Sequence, residues 1–297
     1  MKKHAYLILA HNNPWQLSIL MEMLDDSRND IFLLIDAKSS LEFSDISYSP
    51  SKSKVFHFKN QAIYWGSISL IHAELFLVEQ ALEKGQYSYL HLISGLDFPL
   101  KTQDFIHHFF NQQTKEFIAF NPLNIPVAQW KTERFHFFVQ GFNYPGNPFY
   151  KYARNGLFLA QKILGIKRKR EFPNYFHGSA WFSITFEFGR YLLSRKSAIL
   201  KTYRHTICCD EVFLQTELMY SPFESYIDPE LDQDTGNLRL IDWSRRQGNS
   251  PYTWQLSDLP VLIHSKALFA RKIDERVDKE LILALKDHLL ANHESKK

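Results

Sequence analysis

The chain has 297 residues, 45% hydrophobic and 23% charged, with a formal net charge of +3. That suffices to bury a sizeable core and is too weakly basic to point to a nucleic-acid partner. The two cysteines are neighbours, Cys208 and Cys209, which excludes a disulfide framework and lacks zinc-site spacing; both are expected to be packing residues.

Met1-Lys-Lys-His4 runs directly into residues 5–10, an apolar run far shorter than the ~20 residues of a spanning helix. No signal peptide or anchor is expected, and a cytoplasmic location follows. Residues 5–10 read as a strand ended by His11-Asn12-Asn13-Pro14, and residues 15–24 carry Leu17, Leu20, Met21 and Leu24 at helical spacing. Residues 31–35 form a second buried strand ending at Asp36, and residues 54–58 a third. A helix over 67–82 precedes a strand over 87–93, which enters the turn Ser94-Gly-Leu-Asp97-Phe-Pro99. This alternation argues for an α/β fold with a mostly parallel sheet flanked by helices.

In such sheets ligands sit outside the carboxyl ends of the strands. There the sequence places His11, Asp36, Trp65 with Gly66, and Asp97. Singly, each has an ordinary explanation as a cap, a turn residue or a core ring. Together they outline a nucleotide pocket. Metal-dependent sugar-nucleotide enzymes often place two acids, one residue apart, at such a turn; here a single Asp97 follows Ser94, Gly95 and Leu96. Something other than a metal is then needed to neutralise a bound diphosphate.

Residues 120–150 are rich in Pro, Asn and Phe and read as long loops. Residues 151–170 hold seven Lys/Arg and no acid, interleaved with apolar residues. That pattern suits a helix lying on an anionic membrane, and equally a solvated helix packed on the body by its apolar stripe. The stretch from Tyr175 through Gly178, Ser179 and Trp181 reads as a turn leading into a strand. Asp210 and Glu211 sit at the start of an apolar helix, where the dipole favours acids and where a carboxylate at a cleft can take a proton from a hydroxyl. Arg239 lies in a short strand-like run, Arg271 and Lys272 follow an apolar step, and Asp232-Gln233-Asp234 reads as a polar loop with a modest claim on a metal.

In order, these segments resemble the core-2/I-branching β-1,6-N-acetylglucosaminyltransferase family, which also includes peptide O-xylosyltransferases. The carriers are Tyr6-Leu-Ile-Leu-Ala-His11, Ile35-Asp36, Trp65-Gly-Ser67, Ser94-Gly-Leu-Asp-Phe-Pro99, Gly178-Ser-Ala-Trp181, Asp210-Glu211 with Gln215-Thr216, Leu238-Arg239 and Phe269-Ala-Arg-Lys272. The resemblance implies one GT-A-type catalytic domain over 1–297. Its nucleotide-sugar half is 1–120, and its acceptor and catalytic half is 121–297. It also implies inverting, metal-independent transfer from a UDP-sugar, with no cofactor. By position Glu211 is the general base, and Arg239 and Lys272 hold the diphosphate. His11, Asp36 and Trp65 surround uracil and ribose. Asp97, Ser179 and Trp181 face the donor or acceptor sugar, and Lys131 and Arg134 match acceptor-side cations.

An expected lack of anchor and stem, together with only two cysteines, sets this chain apart from the animal enzymes and leads to the expectation of a bacterial, cytoplasmic relative. The expected donor is UDP-N-acetylglucosamine, and the expected acceptor is a cell-surface glycan or lipid-linked oligosaccharide, with peripheral membrane contact through 151–170. Two alternatives stay open. One is a metal-dependent transferase with another donor such as UDP-xylose, using Asp97 or the 232–234 loop. The other is a non-catalytic sugar- or nucleotide-binding module.

Overall fold

The protein is described here by a computed structural model covering residues 3–120, 124–139, 148–227, 236–246 and 248–294. The Asp232-Gln233-Asp234 loop lies outside the described residues.

The expected alternation forms β1 (Lys3–Ala10), α1 (Pro14–Leu24), β2 (Asn29–Asp36), β3 (Lys54–Gln61), α2 (Ser69–Lys84) and β4 (Tyr87–Ser94). The four strands pair in parallel in the order β3-β2-β1-β4. A short β5 (Asp97–Pro99) follows, then α3 (Gln103–Asn111) and β6 (Phe117–Ile118). Further on, α4 (Ile125–Glu133) and α5 (Pro148–Ile163) precede β7 (Phe182–Thr185). β7 runs antiparallel between β4 and β6 and completes a six-stranded sheet.

β1 is apolar from Ala5 to Ala10 because its alternate residues meet both covered faces of the sheet. Tyr6 and Ile8 pack under α1 and α3, while Ala5 and Leu7 pack under α2. The α2 face is closed by α6 (Phe186–Ser194), α7 (Lys196–Tyr203) and α8 (Phe213–Met219). This is a GT-A-type α/β arrangement, a mostly parallel sheet covered on both faces.

The chain then returns to the signature turn. β8 (Arg239–Ile241), α9 (Leu259–His264), β9 (Phe269–Arg271) and α10 (Lys279–Glu294) follow in order. β5, β9 and β8 form a second, three-stranded sheet, with Asp97 opposite Arg271 in the β5–β9 pairing. Leu281, Leu285 and Leu289 of α10 pack beneath it with Phe98, Trp254 and Ile273.

Two expectations change. Residues 120–150 are not all loop, because α4 occupies 125–133. Its buried positions are Ala128, Lys131 and Thr132, so its inward face carries almost no apolar signal. The second change concerns 151–170. Its helix does not pack by its apolar stripe; the large apolar side chains point to solvent. Cys209 is buried and Cys208 partly so, both free, as packing residues would be.

A buried histidine cluster sits inside the sheet. His91 Nδ1 meets Ser183 Oγ at 2.8 Å, His91 Nε2 meets His4 Nδ1 at 3.1 Å, and His107 stacks on His4 with ring centroids 4.0 Å apart. Burial holds His107 down to about 4, with Arg28 adding to it and Asp26 and Asp104 opposing. A histidine neutral in the fold but protonated when unfolded stabilises the fold fully only above its unfolded pKa near 6.5. That contribution is lost as pH falls from about 6.5 towards 4. His107→Gln is therefore expected to gain about 1–2 kcal/mol relative to wild type between pH 7 and pH 5. Urea unfolding of both proteins at the two pH values checks this, and parallel pH dependences would refute it.

Candidate active site

The strand ends converge as expected. His11 follows β1, and Asp36 ends β2, where its carboxylate accepts from the backbone of Lys38 and Ile63 and from Lys38 Nζ at 2.6 Å. His11 is exposed; partial burial lowers its pKa, Asp36 opposes, and the charges of Arg276, Lys272 and Lys38 push it down further. His11, Asp36 and Lys272 thus share one electrostatic neighbourhood. Lys38 also lies over the Tyr64 ring at 4.6 Å, and the next residue, Trp65, is half exposed. Gly66 (φ +71°) turns the chain so that its carbonyl accepts from Cys208 N at 2.9 Å, which ties the Trp65 loop to the Asp210-Glu211 segment.

The signature turn requires two corrections. Asp97 is fully buried and does not face a sugar. One carboxylate oxygen accepts from the Ser94 backbone and from Arg271 Nη1 at 3.2 Å, so this acid anchors a cation. Arg239 is also fully buried. Its guanidinium donates to Ser183 Oγ at 2.9 Å, Leu92 O at 3.0 Å, Phe182 O at 2.6 Å and the Asn237 carbonyl. A cation spent on carbonyls of β4 and β7 inside the sheet is a structural staple, closed to a diphosphate.

Arg271, the residue before Lys272, is less enclosed. It bonds Ser94 Oγ and Asp97, its guanidinium lies 4.2 Å from the Trp181 ring centroid, and its side chain stays 17% exposed. Lys272 is half-buried beside Arg271, Asp274 and Arg276, and among the described residues its ammonium forms no ion pair. The segment after it is locked by the start of α1: Asn13 Nδ2 donates to Asp274 at 2.9 Å, and Gln16 Nε2 to Ile273 O at 2.9 Å and to Gly95 O at 3.0 Å. Asn13, just before α1, thereby holds the segment after Lys272, and Gln16 of α1 ties that segment to the signature turn.

Glu211 lies in a short helical turn just before α8. Lys131 Nζ and His177 Nε2 (3.2 Å) both contact Oε2, and among the described residues Oε1 has no partner. Burial disfavours the Glu211 carboxylate, but His177 and Lys131 outweigh it and hold the group ionised, with its pKa well lowered. Next to it Asp210 shifts the other way, pushed up by burial and by the Glu211 charge. Proton-transfer sites use opposite shifts of this kind, as do structural ion-pair networks.

The turn between 177 and 181 joins Glu211 and Arg271. His177 touches Glu211, and four residues on Trp181 carries Arg271, so no more than about 14 Å of chain separates them. Only glycine fits at Gly178, where a Cβ would fall 1.9 Å from Ala119 O. Gly178 N donates to Glu211 O at 2.9 Å, and Gln215 Nε2 bridges Ala119 O and Ser179 O at 3.2 and 2.7 Å. Ser179 and Trp181 therefore lie on the wall between the two charged groups.

Lys131 is at the site, as the buried partner of Glu211. Arg134 is engaged elsewhere, with Glu133 at 2.6 Å and the Phe158 ring at 5.8 Å. Sequence reasoning assigned no part to His177 or to Arg271. His177 precedes the Gly-Ser turn and Arg271 precedes Lys272, and those adjacencies were the available signals.

The described residues thus hold a carboxylate, Glu211, kept ionised by His177 and Lys131, and two cations, Arg271 and Lys272, at the end of β9 of a GT-A-type fold. The family model for the Core-2/I-Branching enzyme matches residues 4–261. The chain belongs to this Core-2/I-Branching enzyme family and is a glycosyltransferase of the N-acetylglucosaminyltransferase-like type. It is 24% identical over 313 residues to the beta-1,3-galactosyl-O-glycosyl-glycoprotein beta-1,6-N-acetylglucosaminyltransferase of Bos taurus, covering 96% of this chain and 69% of that protein. Among solved structures it is similar to the apo structure of the bifunctional glycosyltransferase WbbM, with a TM-score of 0.39, 12% identity and 76% of this chain covered. The chain spans 38% of that protein's length.

Proposed function

We propose that this enzyme moves a sugar, N-acetylglucosamine first among the candidates, from a UDP-sugar to a hydroxyl of a cell-surface glycan or lipid-linked oligosaccharide, with inversion and without a metal. The observation that carries the reading is the open Oε1 of Glu211, with Oε2 held by Lys131 and His177. The donor sugar follows the name of the Bos taurus relative.

The acceptor hydroxyl docks on Oε1 and attacks the anomeric carbon from the face opposite UDP. As the new C–O bond forms, the bond to the β-phosphate oxygen breaks with its electron pair, and Glu211 takes the hydroxyl proton. Lys272 and Arg271 stand where the leaving diphosphate gathers charge, and a fixed cation at ~4 Å contributes a Coulomb attraction of about 4 kcal/mol at an effective dielectric near 20. His11, Asp36 and Trp65 line the uracil and ribose end. Residues 1–120 thus supply the nucleotide half and 121–297 the acceptor and catalytic half, with 271–272 reaching back to the donor. In favour of metal independence, the one acid of the signature turn is already paired with Arg271.

Lys272→Ala is expected to lower UDP-sugar turnover about 10²-fold or more with an unchanged melting temperature. Wild-type activity is expected to be the same in EDTA. A UDP-release screen across nucleotide sugars reads the donor, the variant's turnover and the effect of EDTA, and thermal unfolding reads the melting temperature. Activity lost in EDTA and restored by a divalent cation overturns the metal-independent reading, and near-wild-type turnover in the variant removes Lys272 from the site.

A further inference from the structure

Helix α5 wears its apolar face outward. Its inward positions are Tyr150, Arg154, Phe158 and Gln161, two of them polar and nearly fully buried. Gln161 ties the helix to the body by accepting from Phe135 N and donating to Phe135 O, both at 2.9 Å, and Phe158 packs on His136 and Trp130. On the opposite side Phe149, Tyr152, Leu159 and Ile163 fall on one stripe and are 70%, 71%, 56% and 76% exposed. Leu164, 71% exposed, extends the apolar surface just past the helix end. Lys151 and Lys162 are exposed beside the stripe, Lys169 and Arg170 are exposed beyond it, and no acidic residue occurs between 148 and 170.

We propose that this face docks on an anionic phospholipid bilayer. An apolar stripe buries itself at the boundary between headgroups and acyl chains, while flanking lysines meet lipid phosphates. A second copy of the chain fits poorly, because a two-fold contact would set the same lysine rims against each other. Among the described residues no helix is long and apolar enough to cross a membrane, so this is contact at the surface. The geometry also gives the contact a use. α5 packs on α4, whose Lys131 holds Glu211, so a bilayer under α5 lies one helix layer from the base. That use rests on the transferase reading, whereas the docking surface does not.

The test is flotation of the full chain with vesicles of phosphatidylcholine alone and with vesicles that also contain phosphatidylglycerol. Wild type is expected to float only with the second kind, less so at high salt. Binding is expected to fall about ten-fold or more in Phe149→Ser/Leu159→Ser/Ile163→Ser and in Lys151→Glu/Lys162→Glu. Both variants should keep the wild-type circular dichroism and the wild-type release of UDP from a soluble donor. No flotation of wild type with phosphatidylglycerol vesicles overturns the proposal, as does equal binding by either folded variant. A concentration-dependent dimer in sedimentation that the serine variant abolishes would assign the stripe to a second copy instead. Loss of UDP release with vesicle binding intact would count against the transferase reading alone.

Discussion

Glu211→Gln is expected to lower turnover of a UDP-sugar by roughly 10³-fold while leaving donor affinity within about two-fold. The amide keeps the shape of the side chain but cannot take the acceptor's proton. Because the substitution also leaves Lys131 buried without its counter-charge, the melting temperature has to be measured beside kcat. A folded variant with wild-type turnover would show that Glu211 is not the base. The pH dependence gives an independent check. A base must be ionised, and His177 and Lys131 hold the Glu211 pKa well below the usual carboxylate range. The acid side of kcat/KM is therefore expected to stay flat from pH 7 through pH 5, where an ordinary, partly buried glutamate would already be losing activity.

Arg239→Met is the second large effect, and its direction separates two parts for the same residue. If Arg239 is the staple described above, its loss strands the carbonyls of Leu92, Phe182 and Asn237 inside the sheet. The expected cost is about 3–5 kcal/mol of stability, read from urea unfolding. If it instead held the diphosphate, stability would hardly change and donor affinity would collapse. Lys272→Ala is the matching control, expected to show the opposite pattern of intact stability and lost turnover. An unchanged unfolding midpoint in Arg239→Met would reject the staple.

The strand-and-helix alternation of the first half was readable because β1, β2 and β4 are apolar on both faces and α1 and α2 keep a regular apolar period. The same logic puts His11, Asp36 and Asp97 at or just after strand ends, where the structure has them. It failed where burial is polar. α4 buries Lys131 and Thr132, so no apolar stripe marks it. Arg239 and Asp97 read as functional charges because charged residues are rarely fully buried; here each is buried and hydrogen-bonded. Which member of a pair such as Arg271 and Lys272 is free depends on partners far away in sequence. No local pattern carries that information.

The pairing of β5 with β9 has a consequence for how the enzyme is made. Asp97 and Arg271 are 174 residues apart, and the cations of the signature turn reach it only on β9 and just after it. A chain emerging from the ribosome can form β1 to β4 early, since those contacts are comparatively local. It must then hold Asp97 without its counter-charge until β9 has emerged. Fragments ending before β9 should accordingly be inactive and quick to be degraded, and a reporter of the Asp97–Arg271 pairing should light up only once β9 has emerged.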